Sequence, residues 1–120
     1  MGHKGNDKLY GSPGNDKIYG LQGNDKLYSD DGDDDIRGHD GDDLMYGGDG
    51  TDYLVAGEGN DRIINEDGES LVYAEGGDDW LYGGLGKDYF NCGKGIGHIA
   101  NWNPSEDKKE TNCEFVYESP

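Results

Sequence analysis

A nine-residue unit of the form G-x-x-G-N-D-x-apolar-Tyr repeats without a slip from Gly2 to about Asn91. The opening copies are the cleanest: Gly2 to Tyr10 reads GHKGNDKLY, Gly11 to Tyr19 GSPGNDKIY, and Gly20 to Tyr28 GLQGNDKLY. A fixed period this short points to a solenoid rather than an ordinary globular core. Composition agrees, because 31% hydrophobic residues and 23 glycines in 120 residues cannot supply a conventional apolar interior. Low hydrophobicity combined with a net charge of −17 is also the composition of a disordered chain. The strict phase and the recurring aliphatic and aromatic positions argue against permanent disorder, and leave disorder without cations as the alternative.

Counting the first glycine as position 1, position 4 is glycine in every copy, from Gly5 through Gly86 and on to Gly95 in a degenerate eleventh copy. A tight turn that takes positive φ demands this. Position 6 is aspartate in nine of the first ten copies, namely Asp7, Asp16, Asp25, Asp34, Asp43, Asp52, Asp61, Asp79 and Asp88, with Ser70 as the exception. Position 8 is always apolar: Leu9, Ile18, Leu27, Ile36, Met45, Leu54, Ile63, Val72, Leu81, Phe90 and then Ile99.

Six residues of turn followed by three of strand are too few for a helix, and alternation around position 8 gives one inward side chain flanked by two outward ones. Two units therefore make one coil of a flattened, right-handed parallel β-roll, with odd copies in one sheet and even copies in the other. Same-side strands lie about 4.8 Å apart, so five coils stack to roughly 25 Å. Residues eighteen apart then lie above one another. Asp7, Asp25, Asp43, Asp61 and Asp79 form one column, and Asp16, Asp34, Asp52 and Asp88 the other. Carboxylates at strand spacing require a cation between them. A hard divalent ion fits, and calcium suits the loose geometry of glycine-turn carbonyls better than magnesium does. Pairing within the columns gives roughly six to eight ions, and about eight would bring the net charge near zero.

These residues resemble the repeats-in-toxin nonapeptide, G-G-x-G-x-D-x-apolar-x, over about three quarters of the chain. The resemblance implies a calcium-binding β-roll in which each of the nine aspartates reaches Ca2+ and backbone carbonyls of turn positions 1 to 4 complete the shell. It also implies a secreted, extracellular module that stays unfolded at cytosolic calcium and folds outside the cell. One copy departs from the pattern: Asn65 to Tyr73 reads NEDGESLVY and lacks the position 6 carboxylate, which predicts a weakened or absent site without a break in the roll.

The chain divides into a β-roll over 1–100 and a capping segment over 101–120. The eleventh copy, CGKGIGHIA, has Gly97 where the ligand would be, so ion binding ends there. An open solenoid end needs covering, for which Trp102, Phe115, Val116 and Tyr117 are available. Cys92 and Cys113 are the only cysteines. Outside the cell they are expected to close a loop of about twenty residues, worth roughly 3 kcal/mol, with two free thiols as the alternative. The ending resembles that of some extracellular calcium-binding repeat proteins and differs from the uncleaved secretion signal of typical toxin repeats.

Outward position 9 is often tyrosine, as in Tyr10, Tyr19, Tyr28, Tyr46, Tyr73 and Tyr82. Cross-strand ladders account for this, and the sharper reading is an aromatic face for a glycan or protein partner. The acidic balance repels nucleic acid and anionic membranes, and no apolar run is long enough to span a bilayer. His3, His39 and His98 have no nucleophile arranged beside them, and no triad, phosphate loop or zinc cluster is legible, so an enzyme is not expected. The expected function is that of a monomeric, calcium-dependent structural module. The alternatives are a C-terminal piece of a larger secreted enzyme or toxin, and an adhesion or surface-layer component.

Overall fold

The structure is a computed structural model that describes residues 2–83 and 87–94, together with the backbone of three later strands, 97–102, 108–109 and 115–118. Thirteen strands run in chain order: β1 (Lys8–Tyr10), β2 (Lys17–Gln22), β3 (Lys26–Tyr28), β4 (Asp35–Asp40), β5 (Leu44–Tyr46), β6 (Tyr53–Glu58), β7 (Arg62–Ile64), β8 (Ser70–Tyr73), β9 (Asp79–Tyr82), β10 (Asp88–Asn91), β11 (Gly97–Trp102), β12 (Lys108–Lys109) and β13 (Phe115–Glu118). Odd-numbered strands form one parallel sheet and even-numbered strands the other, in the orders β1-β3-β5-β7-β9-β11-β13 and β12-β10-β8-β6-β4-β2. The molecule is a parallel β-roll.

The register follows the period. Leu9 sits opposite Leu27, Leu27 opposite Met45 and Met45 opposite Ile63, while Ile18, Ile36, Leu54, Val72 and Phe90 stack in the other sheet. These two position 8 columns face each other across a thin core in which Leu27, Ile36, Met45, Leu54, Ile63, Val72, Leu81 and Phe90 are completely buried. Each such side chain contributes about 1.5–3 kcal/mol of hydrophobic stabilisation, so the ladders are held from inside as well as by their hydrogen bonds.

Two features differ from the sequence expectation. The strands β2, β4 and β6 are six residues long and run on into the next turn, pairing Leu21 with His39 and Gln22 with Asp40. Position 1 also points inward, since Ala56, Ala74 and Cys92 join the buried core. The inward set is therefore positions 6, 8 and 1, which is the alternation of an extended chain carried through the turn boundary.

β13 joins the edge of β11, and β12 that of β10, so the tail backbone adds a strand to each sheet. β11 spans the junction at which the capping segment was expected to begin. The expectations for Gly86, Gly95 and Cys113, and for the side chains of Trp102, Phe115, Val116, Tyr117, His98 and Ile99, fall outside the described residues.

Candidate metal centres

The turns stack at the two edges of the roll, where the sheets meet. The odd edge carries Asp7, Asp25, Asp43, Asp61 and Asp79. The even edge carries Asp16, Asp34, Asp52, Ser70 and Asp88. Each turn is shaped by its position 4 glycine, with φ between 97° and 122° from Gly5 to Gly77. At Gly41, φ is 116° and an added Cβ would collide with the Gly23 carbonyl of the preceding coil, so both conformation and close approach exclude a side chain. Position 2 is left-handed as well in most interior turns, at Leu21, Asp30, His39, Gly48, Gly57, Glu75 and Gly93, with Glu66 of the eighth copy as the exception among the described residues. Sequence reasoning missed this requirement, because several of these positions are not glycine.

Six of the aspartates share one arrangement of their two oxygens. One oxygen, Oδ1, accepts the backbone N–H of the residue one coil earlier. The donors are Asp7 to Asp25 at 2.8 Å, Asp16 to Asp34 at 2.7 Å, Asp25 to Asp43 at 2.8 Å, Asp34 to Asp52 at 3.0 Å, Asp43 to Asp61 at 2.7 Å and Asp61 to Asp79 at 2.8 Å. The other oxygen, Oδ2, is buried without a hydrogen-bond partner at Asp25, Asp34, Asp43, Asp52, Asp61 and Asp79. An ionised oxygen in that position is costly unless a positive charge meets it.

Those orphaned oxygens face small cradles beside position 1. A Cβ placed on Gly20 would lie 2.6 Å from Asp25 Oδ2 and 3.0 Å from the carbonyl oxygen of Gly38. On Gly38 it would meet Asp43 Oδ2, with the Ala56 carbonyl oxygen at 2.7 Å. Position 1 thus borders a space that gathers a carboxylate oxygen from one coil and a carbonyl oxygen from the next. An all-oxygen donor set of carboxylates and flexible carbonyls fits a hard cation of calcium's size.

Burial raises the carboxyl pKa values: to about 7 for Asp43, Asp52 and Asp79, to about 8 for Asp61, and upward for Asp25 and Asp34. The neighbouring carboxylates of the same column push in the same direction, as Asp25 does to Asp43 and Asp79 to Asp61. Backbone hydrogen bonds oppose the shift without cancelling it. At the open end the problem is solved locally: the N–H groups of His3 and Ser12 donate to Asp7 Oδ2 and Asp16 Oδ2 at 2.8 Å.

The model for the RTX calcium-binding nonapeptide repeat matches in four copies, over residues 1–36, 28–63 and 66–99. The chain belongs to this family. RTX repeats bind calcium, and the buried Oδ2 atoms and their carbonyl cradles fit that ion. No enzyme family matches the chain. No curated protein and no solved structure matches it.

The structure brings all nine sequence-predicted aspartates onto the two edges in register. Position 5 is a further element that sequence reasoning passed over. Asn6, Asn15, Asn24, Asp33, Asp42 and Asn60 each use Oδ1 to accept the N–H of the position 5 residue one coil later, at 2.8–3.0 Å. This side-chain ladder runs along the exposed rim of the RTX turns and ties coil to coil. The recurring Asn in G-N-D carried the signal. On the sheet face, Tyr10, Tyr28 and Tyr46 stack with ring centroids 5.0 and 4.8 Å apart. Arg37 lies over the rings of both Tyr19 and Tyr53. Among the described residues, no helix is long and apolar enough to cross a membrane.

Proposed function

We propose that this chain is an extracellular structural module that folds as calcium fills its stacked turns. The observation that carries the reading is the file of buried, unpartnered Oδ2 atoms on Asp25, Asp34, Asp43, Asp52, Asp61 and Asp79. With calcium absent these groups oppose folding, because they must be either ionised and desolvated or protonated. With calcium present the same groups become ligands, so binding free energy is folding free energy. About six to eight ions are proposed, held by the nine aspartates and by carbonyls of turn positions 1 to 4. The module is proposed to be a monomer that is secreted and closed by a Cys92–Cys113 disulfide, which suits the oxidising space outside a cell.

The stacked Tyr10, Tyr28 and Tyr46 rings favour a second reading, in which the same module presents an aromatic strip to a glycan or protein partner. Service as the C-terminal part of a larger secreted enzyme or toxin is compatible with both. Far-ultraviolet circular dichroism during a calcium titration from chelator tests the main proposal, with magnesium as control and bound ions counted by calorimetry. A cooperative coil-to-β transition at about six or more ions is expected. A spectrum that is already β-rich in chelator and indifferent to calcium overturns the proposal.

A further inference from the structure

The irregular eighth copy departs from the repeat at two positions, Asn65 and Ser70. Asn65 stands at position 1, where its even-edge neighbours Gly47 and Gly83 have no side chain, and it is 98% buried at 2% relative exposure. Its amide nitrogen donates to the Gly83 carbonyl at 3.2 Å and to Asp88 Oδ1 at 3.1 Å. Both partners only accept, so they fix which end of the amide is nitrogen. The amide oxygen accepts the Ser70 hydroxyl at 3.0 Å and points the other way, toward the preceding coil.

At Gly47 a Cβ would lie 2.9 Å from Asp52 Oδ2 and 2.7 Å from Asn65 Oδ1. The equivalent cradles at Gly11, Gly20 and Gly38 hold the aspartate oxygen and the main-chain carbonyl of the next position 1 residue. In the eighth copy a side-chain carbonyl has taken that second place. Asp52 Oδ2 is buried and unpartnered opposite it.

We infer that Asn65 interrupts the even-edge file of cations: its Oδ1 is a ligand of the ion at Asp52, and its amide nitrogen replaces the next ion, between Asn65 and Asp88, while the Gly83 cradle beyond it keeps the Asp88 Oδ2 oxygen. An amide N–H pair can stand in for a cation there because the two oxygens it must satisfy are a carbonyl and a carboxylate, both of them acceptors. Ser70 belongs to the same device. A carboxylate at position 6 would place a second buried charge beside Asp88 with no ion to share, whereas the hydroxyl donates to Asn65 Oδ1 and accepts the Asp52 N–H at 3.4 Å. The two substitutions in this copy are therefore one change.

This inference rests on the calcium reading above, and its test separates the two. Ion stoichiometry is measured by calorimetry with calcium on the native chain, on Asp61→Asn, and on Asn65→Gly with Ser70→Asp, which restores the repeat consensus. No calcium bound by the native chain overturns the calcium reading itself. Native binding that is reduced by Asp61→Asn upholds that reading and leaves the even edge to be judged by the double variant. A gain of one ion per chain in the double variant is expected, and an unchanged count overturns the inference. Should the double variant not fold, the native chain decides by nuclear magnetic resonance. With calcium bound, the Asn65 side-chain NH2 should be protected from solvent exchange, and exchange at the rate of an exposed amide overturns the assignment.

Discussion

The two edges of the roll share a backbone, a register and a sequence motif, yet they neutralise their buried turns differently. On the odd edge position 1 is Gly2, Gly20, Gly38, Ala56 and Ala74, so over these five turns nothing larger than a methyl group enters from that side, and only beyond them does Cys92 take the place. The cradles there offer oxygen atoms and no donor. On the even edge Ser29 and Asn65 occupy position 1 and are buried. The Ser29 hydroxyl donates to the Gly47 carbonyl at 2.6 Å, and the Asn65 amide to Gly83 and Asp88. A desolvated carboxylate or carbonyl accepts either a cation or a hydrogen-bond donor, and one or two side chains per coil decide which. On the calcium reading proposed above, the odd edge takes an uninterrupted file of ions, whereas the even edge supplies hydrogen-bond donors of its own at Ser29 and Asn65.

The largest difference is expected from Asp43→Ala. Asp43 accepts from Asp25 and donates to Asp61, so it serves two coil junctions, whereas Asp7 serves one. Asp43→Ala should raise the calcium midpoint of folding at least about tenfold, equivalent to about 1.4 kcal/mol for each ion coupled to folding, and Asp7→Ala by less than about threefold. Equal midpoints in a circular dichroism titration would break the stacked-column picture.

Proton dependence distinguishes the edges next. In the calcium-free roll Asp43, Asp52 and Asp79 are raised from 3.8 to about 7 and Asp61 to about 8, so the folded state binds more protons than the unfolded chain. The stability supplied by protonation is fully present below the unfolded value and is lost as pH rises through about 7 to 8. Lowering the pH from about 8.5 to about 5.5 in chelator should therefore increase the β-sheet signal, while protons compete with calcium for the same oxygens. Asp61→Asn should flatten this dependence more than Asp34→Asn. A calcium-free signal that grows toward high pH would contradict the burial of these groups.

A smaller effect is expected at Ser70→Ala, which removes the hydroxyl that joins Asn65 to Asp52. It should cost about 1–2 kcal/mol of stability in the calcium-loaded protein, read by chemical denaturation, and leave the odd-edge ions in place. The smallest is Tyr28→Ala, which breaks the stack between Tyr10 and Tyr46. About 1 kcal/mol with an unchanged ion count is expected, since the rings lie on the sheet face, away from both edges. A lost ion in that variant would couple face to edge in a way the fold does not provide.

Most of the architecture was legible because its period is exact in register: once nine residues make one strand and one turn, the partners of Leu27, Asp43 or Tyr28 are fixed by adding eighteen. The parts that escaped depend on what one coil does to the next. The inward direction of Ala56 and Ala74, the left-handed turn at Leu21 and His39, and the side-chain ladder through Asn24 and Asp42 are all set by contacts across the coil junction. A single nonapeptide does not encode them. Asn65 is the sharpest case. In one dimension it is a failed glycine five residues before a failed aspartate, and only the fold shows that these two positions face each other.

The eighteen-residue advance also bears on how such a chain can lengthen by duplication. Copying one nonapeptide keeps the inside and outside of every strand, since both sheets use the same unit, but it moves every downstream turn to the opposite edge. Ser29, Asn65 and Ser70 would then be separated from Gly47, Asp88 and Asp52, the residues they bond one coil away, whenever the new unit fell between them. Duplicating two units together leaves each residue on its own side. Once the two sides had acquired different chemistry, the heritable unit of growth for this chain became the whole coil.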